Sequence, residues 1–132
     1  MAAKTYALDN ALLSAVLRNV AYVQPAAVYV GLTTGTSTPG AAATEVVDAN
    51  YTRIVATFGA PVNGVTACGA LSGFFGAGAA AGPIAITEVA IYDNGVKATG
   101  NMLYYGPLAV PKTVGAGDTV SFAASALTVT EQ

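Results

Sequence analysis

IAITEVAIYDNGVKATGNMLYYG, from Ile84 to Gly106, is the stretch whose reading decides the fold. In its first half Ile84, Ile86, Glu88 and Ala90 alternate with Ala85, Thr87, Val89 and Ile91, and Pro83 and Asp93-Asn94-Gly95 bound the run. That pattern predicts a β-strand entering a turn. A return arm resumes at Met102, Leu103, Tyr104 and Tyr105, and the preceding Gly100 and Asn101 predict a bulge or bend within it. A two-stranded hairpin is not stable alone in water, so further strands must cover it.

They are legible on both sides. Ala27 to Thr33 is a β-branched and aromatic run that reads as a buried strand. Alternation from Tyr51 to Phe58 predicts another; Asn63-Gly64 marks a turn, and Val65 to Leu71 reads as a short strand beyond it. Downstream, Thr119 to Ala123 and Ala126 to Thr130 alternate as two more, after punctuation at Val110-Pro111-Lys112 and Gly115 to Asp118. Ahead of the strands, Leu8, Leu12, Leu13, Val16, Leu17 and Val20 recur at three- and four-residue spacing, which predicts one amphipathic helix capped by Thr5 or Asp9 and closed before Pro25. It is expected to cover an edge or mouth of the sheet, with partner binding as the alternative. The expected fold is therefore mainly β: a single-domain antiparallel β-sandwich or jelly-roll-like barrel of about seven or eight strands with one N-terminal α-helix, the helix over about 8–20 and the β domain over about 27–130 of 1–132.

Charge is sparse. Only 9% of residues are charged against a typical ~25%, while 54% are hydrophobic, so part of the outer surface is expected to be covered in an assembly. Lys4, Arg18, Arg53, Lys97 and Lys112 are scattered, which argues against nucleic acid as a partner. MAAKTYALDN carries no long apolar core of a secretory signal, so synthesis and folding in a cytoplasm are expected. Gly69 to Pro83 is uncharged, but glycine, alanine and proline make it a poor membrane span, and no membrane partner is expected. Its Gly76, Gly78 and Gly82 do not have phosphate-loop spacing, which leaves a flexible or subunit-buried loop with Phe74-Phe75 set into an apolar groove.

No catalytic constellation emerges. The chain has no His, which removes the ordinary serine triad and Cys–His pair, and the lone Cys68 reads as a small buried hydrophobe. No metal, cofactor or catalytic residue is expected. Glu45, Asp48, Glu88, Asp93, Asp118 and Glu131 are not spaced to pair for hydrolysis, and Asp93 and Asp118 stand where turns want Asp. The seven tyrosines read as packing and interface residues, with a carbohydrate-stacking face as the alternative. Asn50-Tyr51-Thr52 matches the glycosylation sequon, which has meaning only in a chain secreted by a eukaryote. Candidate interface residues are Thr36 and Pro39 in the Thr34 to Ala43 loop, Phe74 and Phe75, and Tyr104 and Tyr105 at the end of the opening hairpin.

The order LDNALLSAVL, AVYVGLTT, TEV, NYTRIVATFGAP, NGV, EVAIYD and GNMLYYGPLAVPKTVGAGDTVSFAASALTVT resembles a family of small tailed-bacteriophage virion structural proteins. The similarity runs over nearly the whole chain, is closest from Glu88 onward, and departs in the glycine-alanine segment. Members are known as tail-fibre or minor structural proteins, and similar proteins serve as capsid cement. The resemblance implies a virion component that is not an enzyme. The favoured expectation is a capsid decoration protein on the outer capsid surface, clamping the major capsid protein as a homo-oligomer, with a trimer favoured. The alternatives are a tail-fibre or baseplate accessory held by a tail protein, and a host-glycan-binding module.

Overall fold

The structure is a computed structural model and describes residues 3–131. Its elements in chain order are β1 (Ala3–Lys4), α1 (Tyr6–Leu17), β2 (Val28–Thr33), β3 (Ile54–Ala56), β4 (Val65–Ala67), β5 (Ile84–Tyr92), β6 (Met102–Val114) and β7 (Thr128–Thr130). They form two antiparallel sheets, β1-β6-β5-β2-β3 and β4-β7. The architecture is sandwich-like and mainly β, with one short helix and, among the described residues, no closed barrel. Of the two forms expected, the sandwich is the one found.

The core lies between the sheets. Val30 and Leu32 of β2, Ile86, Val89 and Ile91 of β5, and Val114 of β6 face Cys68, Leu71, Phe74, Phe75 and Val129. Phe74 stands edge-on to Phe122 at 5.9 Å, and Phe75 is tilted against Tyr51 at 5.7 Å. Burying each Phe stabilises the fold by roughly 1.5–3 kcal/mol relative to leaving it exposed.

The opening hairpin is the central rib, but it differs from its sequence reading in three respects. First, a register shift between Ile86 and Glu88 interrupts the alternation. Ile86 faces the core together with Val89 and Ile91, while Ala90 and Tyr92 pack on the other side with Met102. Glu88 therefore shares a face with Ala90 and not with Ile86. Second, Asp93-Asn94-Gly95 opens a loop that lasts to Asn101, so Gly100 closes that loop and does not bulge the strand. Gly100 holds φ +72, and a Cβ there would meet Asp93 and Asn94. Third, β6 runs on to Val114 through Pro107 and Pro111. Prolines are tolerated because β6 pairs with β1 only at Tyr104 and Tyr105, leaving its later residues on an open edge that needs no N–H.

Other strands are shorter than expected. Only Ile54–Ala56 of the 51–58 run and Val65–Ala67 of the 65–71 run are ladder strands. The 119–123 run contributes a single bridge, Leu71 to Phe122. The Asn63-Gly64 turn is as read: Val62 and Val65 exchange both backbone hydrogen bonds, at 2.9 and 3.0 Å, around φ values of 52° and 78°.

Helix α1 begins earlier than 8 and ends earlier than 20. Thr5 caps it, accepting from the Leu8 N–H at 3.5 Å, and its hydroxyl donates to the Met102 carbonyl at 2.6 Å. The Thr5 N–H donates to the Leu103 carbonyl at 3.0 Å, so the helix start is bolted to the start of β6. Asn19 closes the helix in the left-handed region at φ 57°, a conformation Asn tolerates.

Candidate functional site

The polar side chains buried under the outer face of the large sheet are engaged with one another. Arg53 forks onto Glu45, with Nε to Oε1 and Nη2 to Oε2 each at 2.8 Å. Its Nη1 donates to the carbonyls of Asn94 at 2.6 Å and Thr99 at 2.9 Å, and the guanidinium carbon stands 3.6 Å from the Tyr92 ring centroid. Glu45 also accepts from the Tyr51 hydroxyl at 2.7 Å and the Ala98 N–H at 2.8 Å. Burial pushes the Glu45 carboxyl up, but the Arg53 fork, the Ala98 N–H and the Tyr51 hydroxyl outweigh it and hold the group below its ordinary value. Burial, with Glu45 nearby, pushes Tyr92 up to about 12.

Two further carboxylates pin loops. Glu88 accepts from the Ser37 N–H at 3.0 and 2.9 Å and from its hydroxyl at 2.7 Å, and from the Thr33 hydroxyl at 3.3 Å. Asp48 accepts the N–H groups of Ala80, Asn50 and Ala81, which hold its carboxyl below the usual range. Among the described residues no buried side-chain polar atom lacks a partner, and no group of three or more His, Cys, Asp or Glu is placed to hold a metal ion. Among the described residues no helix is long and apolar enough to cross a membrane. Cys68 is buried, and burial pushes its thiol up. These groups build the scaffold.

The expected interface residues are distributed over different parts of the molecule. Thr36 and Pro39 are exposed, on an arm that folds back as a tight turn with Thr38 and Ala41 exchanging hydrogen bonds at 2.8 and 3.1 Å. Glu88 fixes the arm at Ser37, and the Tyr6 N–H donates to the Pro39 carbonyl at 2.8 Å, so the arm is pinned against the start of α1. Phe74 and Phe75 are each 0% exposed. The apolar groove they occupy belongs to this chain's own core, because Gly73 and Gly76, both at positive φ, turn the backbone inward around them. Tyr104 and Tyr105 are half-buried on opposite faces of β6, Tyr104 against the main core and Tyr105 against Ala90, Tyr92 and Met102. The Tyr104 hydroxyl donates to Glu131, which also pairs with Lys4 at 2.9 Å.

The outer face of α1, a helix for which the sequence offers partner binding only as the alternative, is left uncovered. Leu8 is the buried residue of this helix, while Tyr6, Leu13, Val16 and Leu17 face solvent, and Val20 and Val23 on the following segment are exposed as well. The signal was present: only Asp9, Asn10 and Ser14 are polar among the twelve residues from Tyr6 to Leu17, and a helix apolar nearly all round is one with two sides to cover. Between α1 and the 20–25 segment runs an open groove of about 640 Å³ lined by Ala7, Ala11, Ser14, Tyr22 and Pro25.

No curated protein is matched by this chain. Over residues 2–130 it matches the model of the family described as podophage GP4 fiber I protein gp80, and the chain belongs to that family of phage fibre structural proteins.

Proposed function

We propose that the chain is a non-catalytic building block of a phage tail fibre, standing on the tail and not on the capsid. The observation that carries this is the family match over residues 2–130, whose description is of a fibre protein. The physical reading is compatible with it. Buried carboxylates are engaged in internal hydrogen bonds, the loops are pinned, and the uncovered surface on α1 is apolar and suited to contact with protein. A capsid decoration role accounts for the same surface but has no family description behind it. Tyr104 and Tyr105 lie on opposite faces of β6 and form no common stacking platform, so no specific observation favours glycan binding.

The test is the position and number of copies in purified virions. Antibody-gold labelling at the tail, with a low copy number by quantitative mass spectrometry, is the expected result. Labelling over the whole capsid, with copies in proportion to the coat subunits, would overturn the tail assignment in favour of decoration.

A further inference from the structure

We infer that the outer face of α1 is a self-association surface, covered in solution by the same face of a second copy of this chain. Tyr6, Asn10, Leu13 and Leu17 follow one another at spacings of four, three and four residues, which places them in one line along the helix. Val16 flanks the line, and Val20 and Val23 stand on the 20–25 segment, which turns back beside the helix through the Val20 N–H to the Ser14 carbonyl and lines the groove there. Leu13 is 56% exposed, Val16 78% and Leu17 75%. These are large apolar side chains standing in water on a helix whose opposite side is already docked through Leu8 and Thr5.

Two features identify the occupant as another copy. The first is area. Tyr6, Leu13, Val16, Leu17, Val20 and Val23 together expose on the order of 700 Å², close to the ~800 Å² per partner of a standard stable interface. A symmetric pairing of this one patch is thus large enough without recruiting another part of the molecule. The second is charge. Asp9, beside the line, is already paired with Lys4 at 3.3 Å, and Arg18 lies at the rim beyond the last helical residue. The centre of the patch carries no unpaired charge, so two copies meet without like-charge repulsion, whereas a charged partner surface would find nothing there to pair with. Asn10 is the polar residue within the line, and its counterpart across a symmetry axis is a ready hydrogen-bond partner that would fix the register of the two helices.

As the step that joins copies within a fibre, this contact rests on the proposed function. Its test uses purified protein and the other uses virions, so a failure of one is told apart from a failure of the other. Light scattering coupled to size-exclusion chromatography should show the wild type as a dimer, the closed form that a same-face contact builds, and the double variant Leu13→Glu, Leu17→Glu as a monomer with an unchanged β-sheet circular dichroism spectrum. Val110→Glu, at an exposed apolar position on β6, should leave the assembly intact. A second readout does not depend on solubility. Because Cys68 is buried, Asn10→Cys supplies an exposed thiol at the position that meets its own counterpart, and mild oxidation should give a disulfide-linked dimer in high yield. A wild type that is monomeric at micromolar concentrations would overturn the inference. So would a double variant that still assembles, or an Asn10→Cys protein that cross-links no faster than Val110→Cys. A monomeric wild type whose double variant nonetheless fails to enter virions would assign the face to a different virion protein and likewise overturn it.

Discussion

Glu45 and Arg53 are joined at two points, Oε1 to Nε and Oε2 to Nη2, both at 2.8 Å, with side chains only 9% and 1% exposed. The fork couples the 45–53 segment to the 93–101 loop, because the same guanidinium donates to the Asn94 and Thr99 carbonyls and the same carboxylate accepts the Ala98 N–H. Ala98 sits at φ 62°, a conformation uncommon for a residue with a Cβ, and the hydrogen bond to Glu45 is what holds it there. The long loop between β5 and β6 is thereby ordered without secondary structure of its own.

Removing one member strands the other charge away from water. Arg53→Met alone is expected to cost about 3–5 kcal/mol, and Glu45→Leu alone a similar amount, while the double variant should cost much less than their sum. Urea unfolding of the four proteins closes the cycle. Additive losses would mean that the fork contributes no coupling and that each residue acts through its packing alone.

Gly31 on β2 leaves the space in which this cluster sits. A Cβ there would lie 2.8 Å from the Tyr92 ring, 2.9 Å from the Tyr51 hydroxyl and 3.1 Å from Glu45 Oε1. Gly31→Ala should therefore destabilise by about 1–3 kcal/mol through overpacking, even though its φ is ordinary for an alanine and strand propensity alone would favour the change. A Tm equal to or above that of the wild type would show that Tyr51 and Tyr92 relax at no cost.

Phe74→Ala and Phe75→Ala separate core from contact. Both rings are fully buried within one chain, so each truncation should cost about 3–5 kcal/mol of folding stability and leave the association of the folded fraction unchanged. Thermal melts and light scattering on the same samples distinguish the two effects. A variant with wild-type Tm and lost assembly would return the pair to an interface role.

Periodicity and turn chemistry made the sheet core legible. β2, β5 and the Asn63-Gly64 turn are where alternation, β-branching and a positive-φ dipeptide act locally, and local signals survive in one dimension. The length of β6 was hidden because Pro107 and Pro111 read as stops, and their tolerance depends on an edge that exists only after β1 has paired at Tyr104 and Tyr105. The face of Glu88 was hidden by a register shift at Thr87, since alternation cannot report an extra residue until both strands are seen together. β1 itself has two residues, too few for any period. For the candidate surface, a paired aromatic looks the same in sequence whether it anchors a neighbour's groove or its own core, which is why Phe74 and Phe75 read as contacts. The uncovered face of α1 was legible in principle, from how few polar residues interrupt the helix, but deciding which apolar residues stay in water requires the position of the sheet.

Acid should loosen this fold more than neutral pH changes do. The chain has no His, so no ordinary side chain titrates between about pH 5 and 8 and the Tm should be nearly flat there. Glu45 is held below its ordinary 4.5 by the Arg53 fork, the Ala98 N–H and the Tyr51 hydroxyl, which outweigh its burial. Asp48 is held below its ordinary 3.8 by the Ala80 and Asn50 N–H groups. A carboxyl whose value in the folded chain lies below its unfolded value stabilises fully above the unfolded value, and that stabilisation is lost as pH falls through the folded value. Stability should therefore decline from about pH 4.5 downward, as the unfolded chain takes up protons that the folded chain refuses. Glu45→Gln removes one of those protons. Its Tm should be lower than that of the wild type at pH 7 and should fall less steeply between about pH 4.5 and pH 3, so that the two curves converge in acid. Circular dichroism melts across that range measure both slopes. Parallel curves would show that Glu45 takes up its proton equally in the folded and unfolded chains, and that the fork with Arg53 contributes nothing to the pH dependence.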